Sequence, residues 1–332
     1  MAIDFDEGIK TDQGFIVVVY GPAKIGKTTF AARSSDRPMF IAAEGGSDNV
    51  NVRRVKFDAS GRTKPETWPE FLEKLVDLSR MAQLPAKSLV IDGLGAIENL
   101  CVDHVIKNSP ADKSGRKPQS LGEVAGGFGR GERALLDEFR RIMPPIDALK
   151  ARGVHTIMTL HAKTEKSVNT QGAEDAKRVS PALVGVQNAD LSGWLVGWAD
   201  AVMYADIEQT LATAGEKFTK KTWGIRVGDT HIMYTRKEPG ILAGCRYGSI
   251  PSKLPLDWDI FFAEVTAARS CGDMREAAEK LAMMLDSERR AKFDEFKAGP
   301  GWRDITQLNR VVGWMREVVA APKAQSQESA AA

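Results

Sequence analysis

Residues 21–28 read Gly-Pro-Ala-Lys-Ile-Gly-Lys-Thr, which completes the spacing G-x-x-x-x-G-K-T. An apolar run, Phe15–Tyr20, precedes it, and a helical stretch from Lys27 to about Ser34 follows. A strand, a glycine-bracketed turn and a helix in this order curl the backbone around an anion. Gly21 and Gly26 let successive N–H groups point inward at phosphate oxygens. Lys27 supplies a mobile cation for the β- and γ-phosphates of a nucleotide. The Thr28 hydroxyl, with Thr29 beside it, is placed to ligate Mg2+. The expected ATP-binding residues are therefore Gly21, Pro22, Ala23, Lys24, Ile25, Gly26, Lys27, Thr28 and Thr29. The bland alternative is a glycine-rich turn with no ligand.

The rest of the first half alternates strands and helices. Short apolar strands are expected at 38–43, 88–92, 154–160 and 200–205, with amphipathic helices at 68–81, 93–105 and 134–149. Continuous apolar strands separated by helices describe an α/β fold, a mainly parallel sheet covered on both faces. After residue 206 three short strands at 222–227, 231–235 and 241–246 follow, with 227–230 the clearest turn; these add antiparallel strands to the sheet. Helices are expected at 258–268, 274–296 and 305–319, and a disordered tail at 321–332. The domain expectation is an ATPase core over 1–258, a helical extension over 259–320, and the tail.

Charge and cysteines narrow the classes. The net charge of +2 carries no global signal for nucleic acid, so any such surface must be a local patch. Cys101, Cys245 and Cys271 are odd in number and far apart, which argues against a disulfide framework or a zinc site. No apolar run approaches the length of a membrane span, and the start of the chain has no basic-then-apolar leader. The expectation is a cytoplasmic protein without membrane contact.

Several residues carry candidate chemistry. Asp92 closes an apolar strand, where a second Mg2+-organising carboxylate belongs; the alternative is a cap for the next helix. Many P-loop ATPases place a water-activating Glu directly after that Asp, but here the position is Gly93. Glu44 is the candidate instead. It ends the second strand, and in a parallel sheet the strand C-termini face one ligand crevice. The alternative for Glu44 is an exposed turn residue. His161 ends the fourth strand at the same edge and can contact the γ-phosphate, or simply pack at a strand end. Arg246 is a candidate finger that stabilises charge on a neighbouring subunit's nucleotide, or else a surface ion pair. Two long loops, 107–131 with Lys113, Arg116, Lys117 and Arg130, and 163–180 with Lys163, Lys166, Lys177 and Arg178, are functional or mobile.

In order, Gly21–Thr29, Phe40–Gly46, Leu89–Asp92, Gly127-Phe-Gly-Arg-Gly131, Val154–Lys163, Trp198–Val202 and Ala243–Leu256 resemble phage and prophage AAA-type nucleotide-binding proteins. These are RecA-like P-loop ATPases related to single-strand annealing recombinases, and the resemblance covers roughly residues 12–258. It implies a RecA-like core, a catalytic Glu at 44, a γ-phosphate sensor at His161, and single-stranded DNA contacts through the loops near 107–131 and 163–180. The family often shows a Lys two residues before the late Arg; here Gly244 stands there. The expected protein is an Mg2+-dependent ATPase in phage recombination or annealing. It binds single-stranded DNA as a homo-oligomeric filament or ring, with a single-strand-binding protein as a further partner. Alternatives are a nucleotide-gated protein-binding switch with little turnover, a ring-forming helicase or motor, and a small-molecule kinase.

Overall fold

β1 (Ile16–Gly21) is buried along its whole length, and the sheet is built around it. The computed structural model describes residues 12–112, 114–167, 176–186, 189–214, 221–247 and 250–320. After β1 come α1 (Lys27–Ala32), β2 (Met39–Ala42), β3 (Arg53–Arg54), α2 (Trp68–Arg80), β4 (Ser88–Asp92) and α3 (Leu94–Asn108). A short 3-10 helix at Leu121–Gly126 leads into α4 (Arg130–Phe139) and α5 (Met143–Ala151). Then follow β5 (His155–Ser167), β6 (Ala176–Pro181), β7 (Gly185–Val186), β8 (Ala189–Asp190), α6 (Leu191–Trp198), β9 (Ala201–Ala214), β10 (Lys221–Tyr234), β11 (Gly244–Cys245) and β12 (Lys253–Pro255). α7 (Trp258–Ala282), α8 (Ser287–Ala298) and α9 (Ile305–Ala320) complete the described chain.

The main sheet runs β12-β10-β9-β1-β5-β4-β2-β3, with β11 on β9 and β6 on β5. The strands from β9 to β3 pair in parallel; β10, β11, β12 and β6 are antiparallel additions. The fold is therefore the α/β class expected, a mainly parallel sheet with later antiparallel strands. Register sets the functional edge: Gly21 pairs with His161, Ala42 with Asp92, and Asp92 with Thr159. These strand ends meet at one edge because parallel pairing aligns the C-termini.

The helices cover both faces for a plain reason. α2 presents Trp68, Phe71, Leu72, Leu75 and Leu78 at helical spacing, all buried. Thr67 caps it by accepting from the Glu70 N–H. This stripe joins α3 and α4 residues Ile97, Leu135 and Phe139 over one face of the sheet. Just before β1, Phe15 gathers with Trp258, Phe261 and Phe262, ring centroids 5.8–6.1 Å apart. The described residues fall into two compact units, one of Asp12–Arg246 with Ile250–Phe262, the other holding the chain from Ala263 on. In the second, Ala278, Ala282, Phe293, Leu308, Val312 and Met315 form a core.

Several elements differ from the sequence expectation. The strands expected at 222–227 and 231–235 are one strand, and the supposed turn at 227–230 is an irregularity in it. Between Arg226 and His231 the ladder slips, so that five steps on β10 span two on β9. β9 runs on to Ala214, which gives β10 a partner on both sides of the slip, and continuous pairing overrides local turn propensity. The expected strand at 241–246 shrinks to Gly244–Cys245. β5 continues seven residues past Leu160 and pairs with β6, so 163–167 and 176–180 form paired antiparallel strands rather than a structureless loop. The helix expected at 134–149 is split by a 3-10 turn at Arg140–Ile142, just before the Pro144–Pro145 pair, which cannot donate backbone bonds to a preceding turn. α7 passes through Gly272 without breaking, since one glycine costs a long helix only about 1 kcal/mol. The tail at 321–332, Lys113 and residues 168–175 lie outside the described residues.

Candidate functional site

The turn after β1 is shaped by Gly26, whose φ of 103° is the left-handed conformation that a β-carbon disfavours. The next residue begins α1, which is shorter than expected and ends at Ala32. Lys27 is held across the mouth of the turn, its Nζ donating to the carbonyls of Gly21 at 3.0 Å and Pro22 at 2.6 Å. Burial lowers the Lys27 pKa, while the nearby Glu44 and Asp92 carboxylates act against that shift.

Asp92 forms the floor. Thr28 Oγ1 lies 3.1 and 3.2 Å from its two carboxylate oxygens, and the Thr159 hydroxyl donates to Oδ1 at 2.6 Å. Burial raises the Asp92 pKa, opposed first by the Thr159 and Thr28 hydrogen bonds. A buried carboxylate beside a hydroxyl is an oxygen-only donor set, which suits a hard divalent cation such as Mg2+. Thr159 escaped the sequence reading. Its signal was a polar residue inside an apolar strand, which only the pairing with Asp92 makes meaningful.

Glu44 follows β2 and stands over the same crevice. Its backbone N–H, like that of Ala43, donates to the Asp92 carbonyl, at 3.1 and 2.7 Å. Its carboxylate packs on Gly93, where a β-carbon would lie 2.6 Å from Oε1. The peptide joining Asp92 to Gly93 is cis. His161 Nε2 is 3.6 Å from Glu44 Oε2, and both side chains are about half exposed. Gly46 lies close above Thr28 and Asp92: a β-carbon there would be 3.3 Å from Thr28 Oγ1. These groups, with Lys24 and Thr29, line a cavity of about 300 Å3. The structure thus brings together Lys27, Thr28, Asp92, Glu44 and His161.

A scan against family models matches residues 13–247 to the AAA domain. The chain belongs to the AAA domain family. By family this AAA domain is a P-loop ATPase, and nucleotide binding follows from that membership. Among curated proteins no sequence matches it. Similar solved structures include a KaiC-like protein from the hyperthermophilic archaeon Pyrococcus horikoshii OT3, with 15% identity, TM-score 0.31, and 68% of this chain and 80% of that one covered. Another is the RadB recombinase, with 12% identity, TM-score 0.30, and coverage of 70% and 91%. A third is an ATPase from the type III secretion system of pathogenic bacteria, with 11% identity, TM-score 0.33, and coverage of 93% and 82%.

Arg246 of this AAA domain is not near its own phosphate loop. It sits at the opposite edge of the sheet, where Asp200 precedes β9. There Arg246 Nη1 lies 3.3 Å from Asp200 Oδ1, and Nη2 donates to the Gly197 and Trp198 carbonyls at 2.8 and 3.1 Å. The buried Asp200 carboxylate also receives Lys150 Nζ at 2.7 Å and the Ile16 N–H at 2.8 Å. In the β5–β6 hairpin, Arg178 pairs with Glu165 at 2.6 Å, and Lys163 Nζ donates to the Leu183 carbonyl at 2.6 Å. Those two cations serve intrachain contacts. Among the described residues no helix is long and apolar enough to cross a membrane.

Proposed function

We propose that this AAA domain hydrolyses ATP with Mg2+ and uses the cycle to act on single-stranded DNA, as a filament or ring, in phage recombination or annealing. One observation supports the hydrolytic half above all: Lys27 and Thr28, Glu44, and Asp92 converge on one cavity from three separate segments of the chain. Thr28 and Asp92 would hold the metal, which when bound neutralises phosphate charge. Lys27 leaves its two carbonyl partners for the β- and γ-phosphates. Glu44 orients water and takes its proton, a role that contributes about 10²- to 10⁴-fold in rate. His161, its Nε2 3.6 Å from Glu44 Oε2, reads the γ-phosphate end of the site.

Arg246 is assigned to a neighbour's nucleotide. It lies on the sheet edge opposite the phosphate loop, so a head-to-tail assembly would bring the two edges together, the geometry of rings and filaments. The domain reading is an ATPase core over 1–258 followed by a helical extension over 259–320. Support for a DNA partner comes from the resemblance in sequence and from the cationic segment 107–131.

The test is Mg2+-dependent ATP hydrolysis by the full chain, with and without a single-stranded oligonucleotide, across salt concentrations and beside a sizing measurement. The expected result is turnover that the oligonucleotide raises, an affinity that falls with salt, and a mass above that of one chain. Absence of turnover with nucleotide still bound would leave a nucleotide-gated switch as the better reading.

A further inference from the structure

Phe128 is 95% exposed, the most exposed large apolar side chain among the described residues. Its backbone is as unusual as its exposure. Residues 125–129 all have positive φ: 52° at Ala125, 85° at Gly126, 81° at Gly127, 58° at Phe128 and 76° at Gly129. Glycine adopts this region readily, whereas a residue with a β-carbon is strained there. A large aromatic held out by three flanking glycines in such a run is a feature that folding alone does not ask for.

The turn beneath is firmly built. Val124 is buried, and the Gly127 N–H donates to its carbonyl at 3.1 Å. Arg130 Nη1 donates to the Ala125 carbonyl at 2.8 Å. Gly131 packs so tightly on the Leu121 carbonyl that a β-carbon would lie 1.9 Å from its oxygen.

Ala125 and Gly126 of the same turn line a cavity of about 880 Å3 whose lining also includes Arg116, Lys117 and Arg130 against Asp112 and Glu123. Both carboxylates are engaged locally. Asp112 accepts from the Ser114 N–H and hydroxyl and from the Arg116 N–H, at 2.8, 2.6 and 2.9 Å. Glu123 accepts from the Gln119 N–H at 2.9 Å and pairs with Arg116 at 3.4 Å. Among the described residues Lys117 and Arg130, which line the cavity on the same segment as Phe128, pair with no carboxylate.

The segment next to this turn is bonded to the nucleotide edge. The Ala182 N–H donates to the His161 carbonyl at 2.9 Å, and the Val184 N–H donates to Glu98 Oε1 at 2.6 Å on the helix that follows Asp92. Two residues on, Val186 reaches the turn, its Cγ2 3.9 Å from where a β-carbon of Gly129 would be.

We propose that Phe128 stacks on a nucleobase of a single strand while Lys117 and Arg130 hold the flanking phosphates. This rests on the single-stranded DNA reading above and names the residue that meets the bases. An aromatic face accepts any base, and cations on the same segment match a polyanion better than an apolar protein partner.

The test compares full-length wild type, Phe128→Ala and Phe128→Trp, with ATP and Mg2+ present. The probes are an oligothymidylate and an abasic strand of equal length. The expected result is that Phe128→Ala lowers affinity for oligothymidylate by about tenfold to a hundredfold. It should leave abasic binding and the salt dependence unchanged, and Phe128→Trp should retain wild-type affinity. Matched melting midpoints confirm that the variants fold. If wild type binds oligothymidylate and Phe128→Ala matches it, the stacking role is overturned while the DNA reading stands. An equal loss on both strands, with a smaller assembly in sizing without DNA, makes Phe128 a contact between subunits and also overturns it. If wild type binds neither strand, both readings fail together.

Discussion

The Glu44 carboxylate occupies the space that a side chain at position 93 would fill, with Oε1 2.6 Å from where a β-carbon on Gly93 would stand. An acid from the end of β2 and a missing side chain after β4 are thus two halves of one arrangement. Many P-loop ATPases carry a carboxylate directly after the strand-ending Asp; here that position is Gly93, and the carboxylate packed against it belongs to Glu44, from the segment that follows the neighbouring strand.

Gly93→Ala should therefore act on chemistry more than on folding. The displaced atoms are the far end of a flexible side chain, so stability should change by no more than about 1 kcal/mol. Hydrolysis should fall about tenfold or more, and Glu44→Gln should lower it about 100-fold or more with nucleotide binding retained. Thermal melts and steady-state hydrolysis check both. Wild-type turnover in Glu44→Gln would place the base elsewhere.

Asp92→Asn should stabilise the protein while removing its Mg2+-dependent activity. The buried carboxylate has a raised pKa because burial penalises its charge, and an amide of the same shape avoids that penalty. Sites that hold charge for function commonly trade stability for it. A melting midpoint below wild type would contradict this account. Lys27→Ala, by contrast, should weaken ATP binding about tenfold to a hundredfold, the loss of a charge-assisted contact, as read by titration calorimetry.

Arg246 and Lys150 share the buried Asp200 carboxylate, and they should not be equivalent. Asp200→Ala leaves two cations without their partner and should cost about 3–5 kcal/mol in chemical denaturation. Arg246→Ala leaves Lys150 in place and should cost about 1 kcal/mol or less. If Arg246 also serves a neighbour's nucleotide, mixing Arg246→Ala with Lys27→Ala should restore part of the hydrolysis that each lacks alone. Mixed activity equal to the sum of the separate activities would confine Arg246 to its structural contacts.

Glu98 gives a pH signature. Burial pushes its carboxyl up from 4.5 to about 7, against the Val184 N–H and the charge of Lys163, which pull it down. The folded state therefore holds the proton more tightly than the unfolded chain, and stability falls as pH rises from about 4.5 to 7. The full effect above that window is about 3 kcal/mol at most, from the cost per pKa unit. Glu98→Gln should flatten this part of the profile and raise stability at pH 8, measured by denaturation across pH. An unchanged slope would show that Glu98 is not the titrating group.

Much of the core was legible because it depends on local pattern. The phosphate loop, the strand ending in Asp92 and the position of Glu44 at a strand end follow from apolar runs and their punctuation. The late strands were harder. A Gly-Asp pair at 228–229 carries a turn signal, yet β9 continues alongside and keeps the strand going. The β5–β6 pair is not legible as strands because its polar residues lack the alternation of a half-buried strand, and its ladder comes from pairing rather than burial.

By itself, then, the order of residues determined that a glycine-bracketed turn lies between a buried strand and a helix, and that acids end the neighbouring strands. Short-range sterics and hydrophobic period suffice for that. Only the tertiary structure decided that Thr159 meets Asp92, that Glu44 fills the room left by Gly93, and that Arg246 lies on the far edge with Asp200. Each of those contacts joins segments distant in the chain, and their partners are set by strand order and register, which no local pattern encodes.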